Sequence, residues 1–204
     1  MNVHTQRLRI PGPAGELECA LDAPAEGTSA RGLAVICHPH PLHGGTMDNK
    51  VVQTLARACV QLGWRTVRFN FRGVGTSRGA WDEGRGEVED ALAVIAACRQ
   101  GEEPLLLGGF SFGGYVASQA AQRVAPAAQH LLLVGPATSR FEVAQVPAGT
   151  LVVHGEQDEV VPLSSTLDWA RPQALPVVVV PGVGHFFHGQ LPLLKAIVLR
   201  HLAG

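Results

Sequence analysis

The chain reads as an α/β protein with a mostly parallel central sheet and helices on both faces. Two observations carry that reading. Short apolar runs alternate with longer segments whose apolar residues recur every three to four positions, a βαβα order. Most of the runs are continuous rather than alternating, as strands are when helices cover both sides of a parallel sheet. With 204 residues, 46% of them hydrophobic, the chain has enough for one sizeable core and little for a second, so residues 1–204 are read as a single domain.

The N-terminal region is expected to form a hairpin around Gly12 to Gly15. Strands are then expected at Leu33 to Cys37, Thr66 to Phe69, Leu105 to Leu107, Leu131 to Val134, Leu151 to Val153 and Pro176 to Val180. Helical patterns fall between them, at Asn49 to Leu62, Gly86 to Arg99, Phe112 to Arg123, within Ser164 to Ala170, and at Gln190 to His201. In the second helix Val88, Leu92, Ile95 and Cys98 share a face, and Glu87, Glu89 and Asp90 sit near the end where negative charge is favoured.

Open parallel sheets bind ligands at the carboxyl ends of their strands. Five polar or glycine-rich clusters stand just there: His38 to Gly45, Asn70 to Ser77, the turn at Ser111, His154 to Asp158, and Gly182 to His188. Gly109-Phe110-Ser111-Phe112-Gly113 has the Gly-x-Ser-x-Gly form of a sharp strand-to-helix turn. Its small residues let strand and helix approach while the serine is presented at the top. The structural alternative for Ser111 is a helix N-cap.

Acyl hydrolysis by serine needs an imidazole to take its proton and a carboxylate to orient that imidazole. Ser111, Asp158 and His185 follow in that chain order, each after an apolar run. Glu156 and Glu159 compete with Asp158, whose short side chain in a turn suits it better; an Asx turn is its structural alternative. His188 competes with His185, which follows Gly182 and Gly184 and is the better placed to reach Ser111. An oxyanion hole needs the N–H after the nucleophile, Phe112, and a second from the loop after the first parallel strand. Pro39 and Pro41 have no N–H, which leaves His40, framed by both, as the donor.

Other clusters read as structural. His38, His40 and His43 supply nitrogens but no clear ligand set, so no metal is expected. Arg72 to Ser77 lacks both the phosphate-loop and the dinucleotide patterns, no cofactor is expected, and Arg72 should bind local backbone or carboxylates. Phe71, Trp81, Phe110, Phe112, Phe141, Phe186 and Phe187 could supply an acyl pocket, with Phe112 and Phe186 the two expected to face inward.

Sixteen basic and seventeen acidic residues, with no block of one sign, give no reason to expect nucleic acid or an anionic membrane as partner. Cys19, Cys37, Cys59 and Cys98 are scattered without metal-ligand spacing and fit reduced, buried thiols. No export-like stretch lies in Met1 to Pro13 and no apolar span is long enough for a membrane, so a cytoplasmic location is expected.

The segment His38-Pro39-His40-Pro41-Leu42-His43-Gly44-Gly45-Thr46-Met47-Asp48-Asn49-Lys50-Val51-Val52 is far more specific than the serine turn. With Phe69 to Ser77, Gly109 to Gly113, Gly155 to Asp158 and Gly184 to Phe187, it resembles the α/β-hydrolase superfamily over essentially the whole chain, in particular a group of small, lidless bacterial hydrolases. That resemblance implies carboxyl-ester hydrolysis through acylation of Ser111 and deacylation by water activated by His185. Dienelactone hydrolases are similar in scale but use cysteine, so Ser111 argues against their activity. Thioester or peptide hydrolysis, and a non-catalytic interaction protein on the same fold, are the competing readings. Only residues 135–150 separate two of the strands, too few for a substantial cap. An open site suits short or projecting esters and leaves room for a partner subunit of a homo-oligomer to complete the pocket.

Overall fold

The computed structural model describes residues 5–203; residues 1–4, part of the segment read for export signals, lie outside them. The hairpin forms as expected, from β1 (Gln6–Gly12) and β2 (Gly15–Asp22), with Gly12 opposite Gly15. There follow β3 (Leu33–Cys37), α1 (Lys50–Gln61), β4 (Arg65–Phe69), α2 (Arg85–Cys98), β5 (Leu105–Phe110) and α3 (Phe112–Ala121). The chain closes with β6 (His130–Val134), β7 (Leu151–Gly155), α4 (Leu163–Ala170), β8 (Val177–Val180) and α5 (Leu191–Leu202).

One eight-stranded sheet results, in the order β1-β2-β4-β3-β5-β6-β7-β8. The hairpin joins it antiparallel through β2 and β4, and every later pairing is parallel. Successive side chains of a strand point to opposite faces, and β3 shows why a continuous apolar run was required. Leu33, Val35 and Cys37 enter one core, with Val88, Val94 and Val116 of α2 and α3. Ala34 and Ile36 enter the other, with Val52, Leu55, Leu194 and Val198 of α1 and α5. The edge strand β8 departs from this pattern, since Val178 and Val179 are both exposed.

Local chemistry sets the helix starts. Asn49 Oδ1 accepts the Val51 N–H and caps α1. Of the three acids near the start of α2, only Glu87 serves the helix end, accepting the N–H groups of Asp82 and Gly84. Glu89 pairs with Arg123 on the surface, and buried Asp90 grips Arg72.

Strand order reverses around β3, which lies between β4 and β5. The loop after β3 and the turn after β5 therefore meet at one topological switch point, where such sheets form their sites. Residues 135–150 carry no helix or strand, so no cap covers that edge.

Candidate active site

Ser111 stands between β5 and α3 at φ 57°, ψ −118°, a backbone conformation that costs a non-glycine residue about 1–3 kcal/mol. Its backbone is held by Ser111 N–H to Val134 O and by Ala137 N–H to Ser111 O. Its hydroxyl caps nothing in α3, and no hydrogen bond among the described residues engages it. Ser111 therefore occupies the N-cap position of α3 without its side chain capping the helix. Gly109 and Gly113 are required by contact: a Cβ on Gly109 would collide with the Gly113 carbonyl, and one on Gly113 with the carbonyls of Cys37 and His38. The second collision shows how closely the loop after β3 approaches the start of α3.

Asp158 and His185, from the loops after β7 and β8, meet directly. His185 Nδ1 lies 2.6 Å from Asp158 Oδ2, and both residues are buried. Asp158 Oδ1 accepts the N–H groups of Val160 at 2.9 Å and Val161 at 2.7 Å. The Asx turn and the histidine contact were alternatives for this residue, and it makes both, one with each oxygen. Burial raises the Asp158 carboxyl, but hydrogen bonds from His185 and the Val161 N–H, with the nearby histidine charges, outweigh it and hold the group below its usual range. The His185 ring packs 4.8 Å from Phe110, the neighbour of Ser111, and Gly135 sits beside Asp158 and His185 at the end of β6.

The competing acids do other work or stand outside. Glu156 accepts the Gly182 N–H at 2.8 Å and ties the β7 loop to the β8 loop. Glu159 and His188 are exposed and line, with His185 and Phe186, a cleft of about 320 Å³. A cavity of about 390 Å³ between α1 and α5, lined by Asp22, Arg57, Arg68 and Lys195, contains none of these groups.

The proline-histidine loop is fixed from beneath. Buried His38 accepts the Phe71 N–H at Nε2 (3.1 Å), and its Nδ1 lies 2.6 Å from Pro39 O, so the ring is a neutral Nδ1–H tautomer. Burial pushes it down to about 4. His40 has ψ 122°, the extended value a following proline demands. Its Nδ1 accepts the Leu42 N–H, and its carbonyl accepts those of His43 and Gly45. Burial, with the charges of His43 and Arg140, lowers the imidazole from its ordinary value. The His40 ring lies 4.4 Å from that of His43, 4.5 Å from Trp81 and 5.3 Å from Phe112, so the loop and the serine turn pack together. No group of three or more metal-type side chains gathers among the described residues.

Arg72 grips Asp90 through two nitrogens, as expected of a structural arginine. Asn70 accepts the Met47 N–H and donates to Glu18, which ties the β3 and β4 loops to the hairpin. Among the aromatics one expectation is corrected. Phe112 is buried, but Phe186 is 39% exposed and Phe187 points inward instead. A φ of 52° at Phe187 turns its side chain into the core beneath α5. The four cysteines are free; Cys19, Cys37 and Cys59 are buried and Cys98 partly so, and burial pushes the Cys19 and Cys59 thiols up to about 12. No helix among the described residues is long and apolar enough to cross a membrane.

Fold and site define an α/β hydrolase of the serine-hydrolase type, without a lid. Residues 29–143 match the family model described as serine aminopeptidase, S33, and the chain belongs to that family. It is 38% identical to the α/β serine hydrolase without lid from Xanthomonas campestris, covering 100% of this chain and 95% of that one at a TM-score of 0.90. An α/β serine hydrolase homologue from Coxiella burnetii is 43% identical, with 97% of each chain covered and a TM-score of 0.83. An uncharacterized protein of Rickettsia prowazekii is 32% identical over 198 residues, 89% of this chain and 82% of that protein.

Proposed function

We propose that the protein is a carboxylesterase of small or short-chain esters, with Ser111 as nucleophile, His185 as base and Asp158 as the carboxylate that orients it. The reading is carried by one observation: a buried Asp158–His185 hydrogen bond of 2.6 Å whose imidazole packs on Phe110, the residue before a serine in a strained strand-to-helix turn. Ser111 Oγ attacks the ester carbonyl as its proton passes to His185 Nε2, after the free hydroxyl rotates toward the ring. Such contacts commonly tighten only when substrate binds. The oxyanion of the tetrahedral intermediate accepts the N–H groups of His40 and Phe112. Phe112 is the first residue of α3, where an N–H lacks an intrahelical partner.

Collapse of the intermediate breaks the ester C–O bond, and the leaving alcohol takes the proton from His185. Water, deprotonated by His185, then hydrolyses the acyl-enzyme and frees Ser111. Asp158, held below the usual carboxylate range, stays ionised throughout and supports the charged imidazole.

A fluorophosphonate probe is expected to label wild-type Ser111 and not folded S111A, and p-nitrophenyl acetate turnover is expected to fall by about 10⁴-fold or more in S111A. An unlabelled wild type, or S111A with undiminished turnover, overturns the proposal. The description of the family model favours amide substrates as a second reading. Faster cleavage of amino-acid p-nitroanilides than of matched p-nitrophenyl esters would select it.

A further inference from the structure

Strand β7 carries a histidine within an apolar run, and the chemistry above does not use it. His154 is 0% exposed. Its Nε2 lies 2.9 Å from Val161 O and 3.4 Å from Asp158 Oδ2, while Nδ1 is buried with no hydrogen-bond partner among the described residues. A carbonyl can only accept, so Nε2 bears the proton and donates it. Nδ1 is then an acceptor without a donor, an arrangement that buried groups rarely tolerate. A leucine or phenylalanine would fill the strand position without that cost. The N–H must therefore supply something packing does not, and its target is the acid turn: Val161, whose carbonyl it holds, gives its own N–H to Asp158 Oδ1.

We infer that His154 is a positioning residue for Asp158: its Nε2–H, anchored on Val161 O, locks residues 158–161 so that Asp158 Oδ2 stays aligned with His185 Nδ1. Two oxygens of one carboxylate are thereby held from different sides. Oδ1 is fixed by the turn's own N–H groups, and the turn is fixed by a side chain from the strand beneath it. Burial keeps the His154 ring below its ordinary value, with Asp158 and His185 the charged partners that face it. A neutral donor steadies the carboxylate without competing with His185 as a cation would.

The inference rests on the triad reading, and its test reports on both separately. Full-length wild type, H154F and H154Q are compared. Phenylalanine keeps a planar ring without the N–H, and glutamine returns an N–H at similar reach. With p-nitrophenyl acetate, H154F is expected to lose about 100-fold in kcat with KM nearly unchanged, as for a small misplacement of a reacting group, and H154Q to recover most of it. By proton NMR, the far-downfield His185 Nδ1 proton, assigned by its absence from H185A, is expected to move upfield or broaden away in H154F and to return in H154Q. Folded H154F with wild-type kcat and an unchanged resonance overturns the inference, and so do equal losses in H154F and H154Q. Should H154F not fold, imidazole nitrogen shifts of wild type decide: a neutral Nε2–H tautomer is required, and an Nδ1–H tautomer or a cation at neutral pH overturns it. A wild type that turns over no ester fails the esterase reading alone, because the NMR observations still judge His154.

Discussion

Replacing Asp158 by asparagine changes one atom, and the surrounding N–H groups dictate which way the new amide must face. The amide oxygen has to occupy the Oδ1 position, because two donors, Val160 N–H and Val161 N–H, converge there. The NH₂ then takes the Oδ2 position, 2.6 Å from His185 Nδ1. Two donors cannot face each other, so His185 must leave its proton on Nε2 and turn a lone pair to the asparagine. In the proposed triad, that tautomer directs an N–H, not a base, at Ser111. Loss of the correct tautomer in a serine triad is worth about 10⁴ in kcat, or about 5.5 kcal/mol of transition-state stabilisation. The assay is steady-state turnover of p-nitrophenyl acetate by D158N, with folding checked by circular dichroism. Because the amide keeps the turn's two hydrogen bonds, D158N should melt close to wild type. D158A, which abandons both N–H groups, should lose about 1–3 kcal/mol of stability for each one left unpaired. A loss under about tenfold in folded D158N would refute the tautomer argument, because such a loss fits a triad residue only if orientation contributes little.

Two further outcomes follow from the loops and the open edge. His38 titrates at about 4 when folded and near 6.5 when unfolded, so the unfolded chain takes up its proton first as pH falls. The stability it supplies is fully present above pH 6.5 and is lost progressively toward pH 4, with about 2 kcal/mol gone between pH 7 and pH 5. Denaturant unfolding of wild type and H38Q should show that difference, and parallel pH dependences in the two proteins would contradict it. The absence of a helix or strand in residues 135–150, and so of a cap over the sheet edge, predicts higher kcat/KM on acetyl and butyryl than on octanoyl or palmitoyl p-nitrophenyl esters. Equal or faster turnover of the long chains would contradict that.

The strands and helices were legible because each follows from a periodicity that burial enforces. The run Leu33 to Cys37 had to be buried on both sides, and it is. The run Val177 to Val180 looks the same in sequence but forms the exposed edge, because what covers a strand depends on its rank in the sheet, which apolar content does not encode. Asp158 and His185 were legible as candidates from their order and their turns. The 2.6 Å contact between them depends on the register of β7 against β8 and on the Glu156–Gly182 tie, which only the fold supplies. His38 and His154 were visible as polar residues at the ends of apolar runs, and that was a usable signal. Their roles were not, because the partners that define them, Phe71 N–H and Val161 O, belong to backbone, and backbone leaves no trace in residue type.

A site without a cap has to be made rigid from below. In this chain the β3 loop is anchored through His38 to the β4 loop, the β7 turn through His154 to its own strand, and the β8 loop through Glu156 to the β7 loop. Glu156 is an exposed carboxylate, but each of the two histidine anchors joins a buried side chain to a backbone group and so resists motion without presenting a charge to the open edge. Charged anchors at those positions would either bear the desolvation cost of burial or pull on the Asp158–His185 pair. Neutral imidazoles avoid both, at the cost of acid sensitivity: protonating His38 sets a donor against the Phe71 N–H it now accepts. The same acidification loosens the loop proposed to hold the oxyanion. Ester turnover of wild type should therefore show an additional loss toward pH 4 that H38Q lacks, and coincident acid limbs in the two proteins would contradict it.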